Sequence, residues 1–132
     1  MTLELKQIAK RSGAEMHIYP TDLRLERGSF NVLLGTTLAG KTTLMQLMAG
    51  IQKPTGGELW FDGANVTNTP VQKRNVSVVY QQFINYPNFT VYENIASPLR
   101  VARMSETEIK SRVGKFAELL RLTPMLGRKP SE

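Results

Sequence analysis

The sequence predicts an α/β fold, with short strands leading into amphipathic helices. Three observations carry that expectation. Leu3 and Leu5, Met16 and Ile18, and Leu23 and Leu25 each alternate with polar neighbours, the period of a half-buried strand. Phe30-Asn31-Val32-Leu33-Leu34 is a compact apolar run ending at Gly35, as in a strand buried on both faces. From Lys41 onward, Leu44, Leu47, Met48 and Ile51 fall at i, i+3, i+4 and i+7, which is one face of a helix.

The remaining elements follow in chain order. Pro20 cannot donate to a ladder, so it belongs at a sheet edge or a bulge, between the strands of Met16–Ile18 and Leu23–Leu25. Arg27-Gly28 is a turn before the apolar run. The helix from Lys41 stops at Gly50, with Pro54 beyond. Thr55-Gly56-Gly57 turns into a strand over Glu58–Phe61, which Asp62-Gly63 closes. Val76–Tyr80 is a further strand, followed by a polar and aromatic loop from Gln81 to Pro87. Ser105 with Glu108 forms a capping box. The helix it opens carries an apolar stripe of Ile109, Val113, Phe116, Ala117 and Leu120, and Pro124 lies past its end. Glu106–Lys110 and Glu108–Arg112 are i,i+4 pairs in the favourable direction. Trp60, Phe61, Met45 and Met48 read as packing residues, and His17 as a surface residue.

At 132 residues the chain holds one ordinary domain, and its 41% hydrophobic and 21% charged content fits a globular protein. The lack of cysteine excludes disulfides and cysteine-based zinc sites. The N-terminus shows no secretory pattern, and no apolar run is long enough to span a bilayer. The net charge is +6, and eight of the basic residues, from Arg100 to Lys129, are scattered through the last third. That spread reads as a solvated helical face or a docking face for an acidic or membrane-proximal partner. Without interleaved aromatics it does not read as a nucleic-acid groove.

Chemistry concentrates at Gly35-Thr36-Thr37-Leu38-Ala39-Gly40-Lys41-Thr42, which matches G-x-x-x-x-G-K-[ST]. Four residues between the glycines let the chain curl so that several backbone N–H groups face one anion. Gly40 permits close approach of the backbone, Lys41 places a charge near the β and γ phosphates, and the Thr42 hydroxyl can ligate Mg²⁺. The helix aims its positive end at the same anion. The candidate phosphate site therefore comprises Gly35, Thr36, Thr37, Leu38, Ala39, Gly40, Lys41, Thr42 and Thr43. Its strand-before, helix-after setting is the one the motif requires.

Further motifs indicate which kind of phosphate-loop protein this is. Val78-Val79-Tyr80-Gln81-Gln82, then Asn85-Tyr86-Pro87 and Thr90-Val91-Tyr92-Glu93-Asn94-Ile95, resemble the Q-loop region of ABC transporter ATPases. Met48-Ala49-Gly50, Pro54-Thr55-Gly56-Gly57-Glu58, Asp62-Gly63 and Pro70–Asn75 also resemble that family. Leu126–Glu132 is similar to the lead-in to its signature sequence in carbohydrate importers of the maltose type. The resemblance covers essentially the whole chain. It implies the N-terminal part of an ABC-type P-loop NTPase fold: an antiparallel β subdomain, part of the core sheet and the start of the helical subdomain. The β subdomain and phosphate-loop core would occupy about 1–95, and the helical subdomain would begin over about 96–132.

The function so implied is ATP binding in the energy-coupling ATPase subunit of an importer for a sugar, polyol or sugar phosphate. Lys41 and Gln81 would be the catalytic groups, Thr42 and Gln81 would hold Mg²⁺, and Gln81 would sense the γ-phosphate. The partners implied are a second ATPase subunit, identical or not, and transmembrane permease subunits docking near Asn85–Val91. A periplasmic or extracellular solute-binding protein would act indirectly. The location implied is cytoplasmic, peripheral on the inner face of the cell membrane. The alternative is a non-hydrolysing nucleotide-binding or regulatory module.

Three departures from the family pattern stand out. The signature, the acidic magnesium strand, the catalytic glutamate and the switch histidine would all lie beyond Glu132, so the chain alone is expected to be inactive in hydrolysis. Ser12 occupies the place where the family carries an adenine-stacking aromatic, and the nearest aromatic, Tyr19, reads as strand packing. Leu38 stands where the family has glycine, so its side chain must point away from the phosphates or weaken the cradle.

Overall fold

The computed structural model describes residues 2–132, which form two compact units, 2–79 and 80–132. In the first, strands β1 (Leu3–Ser12), β2 (Glu15–Leu25), β3 (Gly56–Phe61) and β4 (Ala64–Asn65) make an antiparallel sheet of order β2-β1-β3-β4. Helix α1 (Lys41–Ala49) packs on it. The core joins Leu5, Ile8, Ile18 and Leu59 of the sheet to Leu47 of α1, with Leu44, Met48 and Phe61 around them. Burying a side chain such as Leu47 contributes about 1.5–3 kcal/mol, so this contact is what holds α1 to the sheet.

The register shows how the sheet curves. Between the pairs Ile8–Thr21 and Lys10–Ile18, β2 carries one residue more than β1, so Pro20 sits in a bulge of an edge strand. The two strands expected on either side of Pro20 are therefore one. A second bulge, at Gln7, interrupts β1 against both neighbours. Gln7 has φ 51, its N–H donates to Asp22 Oδ1 at 2.8 Å, and its side-chain amide also bonds Asp22. A Cβ at Gly57 on β3 would overlap the Gln7 carbonyl, so only glycine fits opposite this bulge. The β3–β4 hairpin turns on Asp62 and Gly63, both with positive φ, the geometry such two-residue turns need.

The second unit contains α2 (Val91–Val101) and α3 (Glu106–Leu119), packed through Ala96, Ile109 and Val113. Ser105 Oγ accepts from Glu108 N–H at 3.3 Å, as the capping box predicts. Glu108 pairs with Arg112 at 3.1 Å, but Glu106 pairs with Arg100 rather than Lys110. On α3 the buried stripe is Ile109, Val113 and Ala117, while Phe116 and Leu120 are exposed. Met45 of α1 is likewise exposed, and Trp60 lies on the sheet under the Lys6 ammonium, 4.2 Å from the ring centroid.

Two expected strands do not form. Phe30–Leu34 is unpaired, with Phe30 93% and Leu34 84% exposed. Val76–Tyr80 is also without ladder bonds, with Val79 96% exposed. The physical reason is that a strand needs a neighbour for its N–H and C=O groups, and none of the described strands pairs with either segment. Such segments template association. The chain is therefore expected to self-associate at tens of micromolar, and a Val32→Lys, Val79→Lys double substitution to weaken that association about tenfold or more. Sedimentation across a concentration series checks this. A monomer that melts cooperatively at the highest concentration contradicts it.

Candidate nucleotide-binding site

The loop from Gly35 to Thr43 joins the unpaired 30–34 segment to α1. Gly40 is the N-cap of α1, with φ 88 and ψ 9, a left-handed conformation. It also lies against β2: a Cβ there would stand 2.8 Å from Ile18 Cδ1 and 3.1 Å from the His17 carbonyl oxygen. The glycine thus serves a close approach to the sheet as well as to a ligand. Gly35 is similarly confined, since a Cβ there would stand 3.3 Å from Ala39 Cβ. Inside the loop, Ala39 N–H donates to the Thr36 carbonyl at 3.2 Å.

Lys41 folds back across this curl. Its Nζ donates to the carbonyls of Gly35 at 2.7 Å and Thr36 at 2.6 Å. Two of the three ammonium donors are used in that way, which fixes the charge over the loop and leaves a third. α1 begins with no side-chain cap and no acidic residue in its first turn. The other two helices differ. Thr90 Oγ1 accepts from Glu93 N–H at 3.1 Å, and the carbonyls of Arg128 and Leu126 accept from Val91 and Tyr92 N–H. Ser105 caps α3. The first N–H groups of α1 therefore remain for an external anion, where the helix dipole favours negative charge. The donor set suits a polyphosphate: the uncapped N–H groups at the start of α1, one ammonium held in place, and the exposed Thr42 available to a metal ion. Among the described residues there is no cluster of three or more acidic, histidine or cysteine side chains able to hold a metal, so a metal would depend on phosphate oxygens besides Thr42.

Leu38 has φ 68, and its side chain is 99% exposed. It takes the first of the two options that the sequence left open, pointing into solvent. A left-handed backbone costs a residue with a Cβ about 1–2 kcal/mol, which explains physically why glycine suits the position.

Ser12 ends β1 beside the Gly13 turn and is exposed. Tyr19 lies in the β2 bulge region and is 72% exposed, so it is not the packing residue that the sequence suggests. Gln81 is exposed in a bend of the second unit, outside any helix or strand.

Two residues that sequence reasoning passed over organise these segments. Asn94 Nδ2 donates to the carbonyls of Tyr86, Phe89 and Thr90, and its Oδ1 accepts from Tyr86 N–H at 2.8 Å. It thereby ties down the loop that holds the Tyr86–Phe89 ring pair. Asn94 stands four residues after Thr90 in the sequence, the helical spacing that lets its amide reach back to the Thr90 carbonyl. Arg74 is the second, and no pattern in the sequence marks it.

The family assignment rests on the loop and on likeness over the whole chain. Residues 18–132 match the ABC transporter family. The chain belongs to that family, as part of its ATP-binding domain. It is 42% identical over 128 residues to the alpha-glucoside transport ATP-binding protein AglK of Rhizobium meliloti, which covers 97% of this chain and 35% of that protein. It is 36% identical to the spermidine/putrescine import ATP-binding protein PotA of Aggregatibacter actinomycetemcomitans, covering 98% and 35%. The Fe(3+) ions import ATP-binding protein FbpC of Photobacterium profundum is 38% identical, covering 92% and 34%. Among solved structures, the ATP-binding cassette MJ0796, a dimer in a post-hydrolysis state bound to ADP and Pi, superposes with a TM-score of 0.84. It is 26% identical, over 98% of this chain and 62% of that one. The chain spans about a third of the length of the curated relatives it matches.

The strain at Leu38 makes a testable difference within this ABC-type loop. Leu38→Gly is expected to raise the free energy of unfolding by up to about 1 kcal/mol, and the β-branched Leu38→Val to lower it. Denaturant unfolding of the three proteins reads both. Equal stabilities contradict the strain.

Proposed function

We propose that this chain is the ATP-binding part of the energy-coupling ATPase subunit of an ABC importer. One observation carries the reading. The N-terminus of α1 is uncapped, and the Lys41 ammonium is anchored over the loop beside it. The backbone N–H groups of 36–43 would hold the triphosphate, with Lys41 on the β and γ phosphates and Thr42 and Gln81 on Mg²⁺. Mg²⁺ supplies neutralisation of charge shared between phosphate oxygens. Lys41 would stabilise charge that develops on the transferring group, and Gln81 would orient water or metal through its carbonyl oxygen. Ser12 would lie toward the base, without the stacking surface an aromatic offers. Turnover belongs in this reading to the whole subunit, with ATP held between two such subunits, identical or not.

A carbohydrate-type cargo (sugar, polyol or sugar phosphate) is favoured by the 42% identity to the alpha-glucoside relative, against 36% and 38% for the polyamine and iron relatives. The glycerol-3-phosphate relative UgpC of Pectobacterium atrosepticum, at 34%, belongs to the same chemical class. The permease would dock near Asn85–Val91, where the Asn94 clamp holds exposed Tyr86 and Phe89 in place. In this reading the subunit would lie on the cytoplasmic face of the membrane, with the solute-binding protein acting through the permease. No helix among the described residues is long and apolar enough to cross a membrane.

Lys41→Ala removes a charge-assisted contact worth about 1.5–3 kcal/mol and is expected to weaken ATP·Mg²⁺ binding about 10–100-fold. In the unsubstituted chain, pyrophosphate should compete with ATP and adenosine should not. Binding that survives Lys41→Ala unchanged, or that adenosine alone displaces, contradicts the proposal.

A further inference from the structure

Arg74 follows a 3-10 turn, Val71–Lys73, and its guanidinium turns back under the sheet's last hairpin. Nε donates to the Thr69 carbonyl at 2.8 Å, and Nη2 donates to Val66 at 2.7 Å and Thr67 at 3.3 Å. The same guanidinium lies on Gly50, the left-handed C-cap of α1, so closely that a Cβ there would overlap it. One cation therefore meets both the 66–69 loop and the negative end of the helix dipole. The remaining nitrogen, Nη1, is buried without a partner. Burial pushes the Arg74 pKa down from its ordinary value, in keeping with a cation short of one hydrogen bond.

An unpaired buried donor is costly, so the arrangement favours any shift that brings it an acceptor. The backbone it lies against is the end of α1 at Gly50, where the Leu47 and Gln46 carbonyls already accept from the N–H groups of Gly50, Ile51 and Gln52. α1 is nine residues long, about 13 Å, and rigid along its axis. Lys41 and the uncapped N–H groups stand at one end, and Arg74 at the other. Seven residues after Arg74 comes Gln81.

We propose that Arg74 is a positioning residue that couples occupancy of the phosphate loop, through α1, to the 66–75 segment leading to Gln81. The inference rests on the nucleotide-binding reading above. An anion at the N-terminal end of α1 draws the helix axially, Gly50 moves relative to the Arg74 guanidinium, and Nη1 is freed to reach an acceptor. The segment that Arg74 grips then tightens.

Hydrogen–deuterium exchange of the 132-residue chain, with and without ATP·Mg²⁺, tests this. In the parent chain, ATP is expected to slow exchange at 35–43 and to change it about threefold or more at 66–74. Arg74→Gln should bind ATP within about threefold of the parent and keep the slowing at 35–43, yet lose the change at 66–74. Arg74→Lys, which keeps the charge, should restore part of that change. If Arg74→Gln does not fold, Gly50→Ala puts a methyl group where the guanidinium lies and should separate the two regions in the same way. A change at 66–74 that survives Arg74→Gln or Gly50→Ala overturns the coupling while leaving nucleotide binding intact. Loss of both responses together in a folded variant overturns it as well, because the residue is then only structural. A parent chain that binds no ATP overturns the coupling and the nucleotide reading together.

Discussion

Gly40 is squeezed between α1 and strand β2, and the loop's geometry depends on that contact. Its left-handed backbone ends the phosphate loop and starts the helix in one residue. Its missing side chain lets the start of the helix rest on His17 and Ile18. Ile18 in turn belongs to the core that holds Leu47 of α1. Any larger residue at 40 would push the helix off the sheet and misdirect its first N–H groups. Because glycine provides no capping side chain, those groups stay free. The same residue thus leaves the helix end uncapped and fixes where its N–H groups point.

The sheet is shaped to present that contact. The Gln7 bulge, gripped by Asp22 and faced by Gly57, shifts the inward alternation of β1 so that Leu5 and Ile8 both reach the core. The bulge at Pro20 follows on β2, next to the residues that touch Gly40. At the far end of α1, Arg74 packs on Gly50. The helix is therefore held at both tips by glycines that admit close neighbours, with a ligand-facing end and a guanidinium-facing end.

Much of this was legible in the sequence, because the signals were local. The loop, the Gly50 stop, the Asp62-Gly63 turn and the Ser105 cap are each written in a few adjacent residues, and each appears where expected. What escaped depends on pairing at a distance. Phe30–Leu34 and Val76–Tyr80 have strand composition, but composition supplies no partner, and both remain exposed. Phe116 and Leu120 extend a helical stripe that periodicity marks as buried, although only a packed neighbour can bury it. Arg74 and Asn94 act through backbone carbonyls, and those leave no residue-type signature. Leu38 could be flagged as misplaced, yet only the backbone angle explains why.

The uncapped start of α1 should make it the one helix N-terminus in this chain that takes up an anion. Backbone amide NMR during a pyrophosphate titration tests it most directly, because three helix N-termini can be compared within one molecule. Large, saturable shifts should appear at Thr36–Thr43. They should be absent at Val91–Glu93, whose N–H groups are engaged by Arg128, Leu126 and Thr90, and at Glu106–Glu108, where Ser105 takes the Glu108 N–H and two carboxylates repel an anion. Equal shifts at all three ends, or none at Thr36–Thr43, would contradict the account.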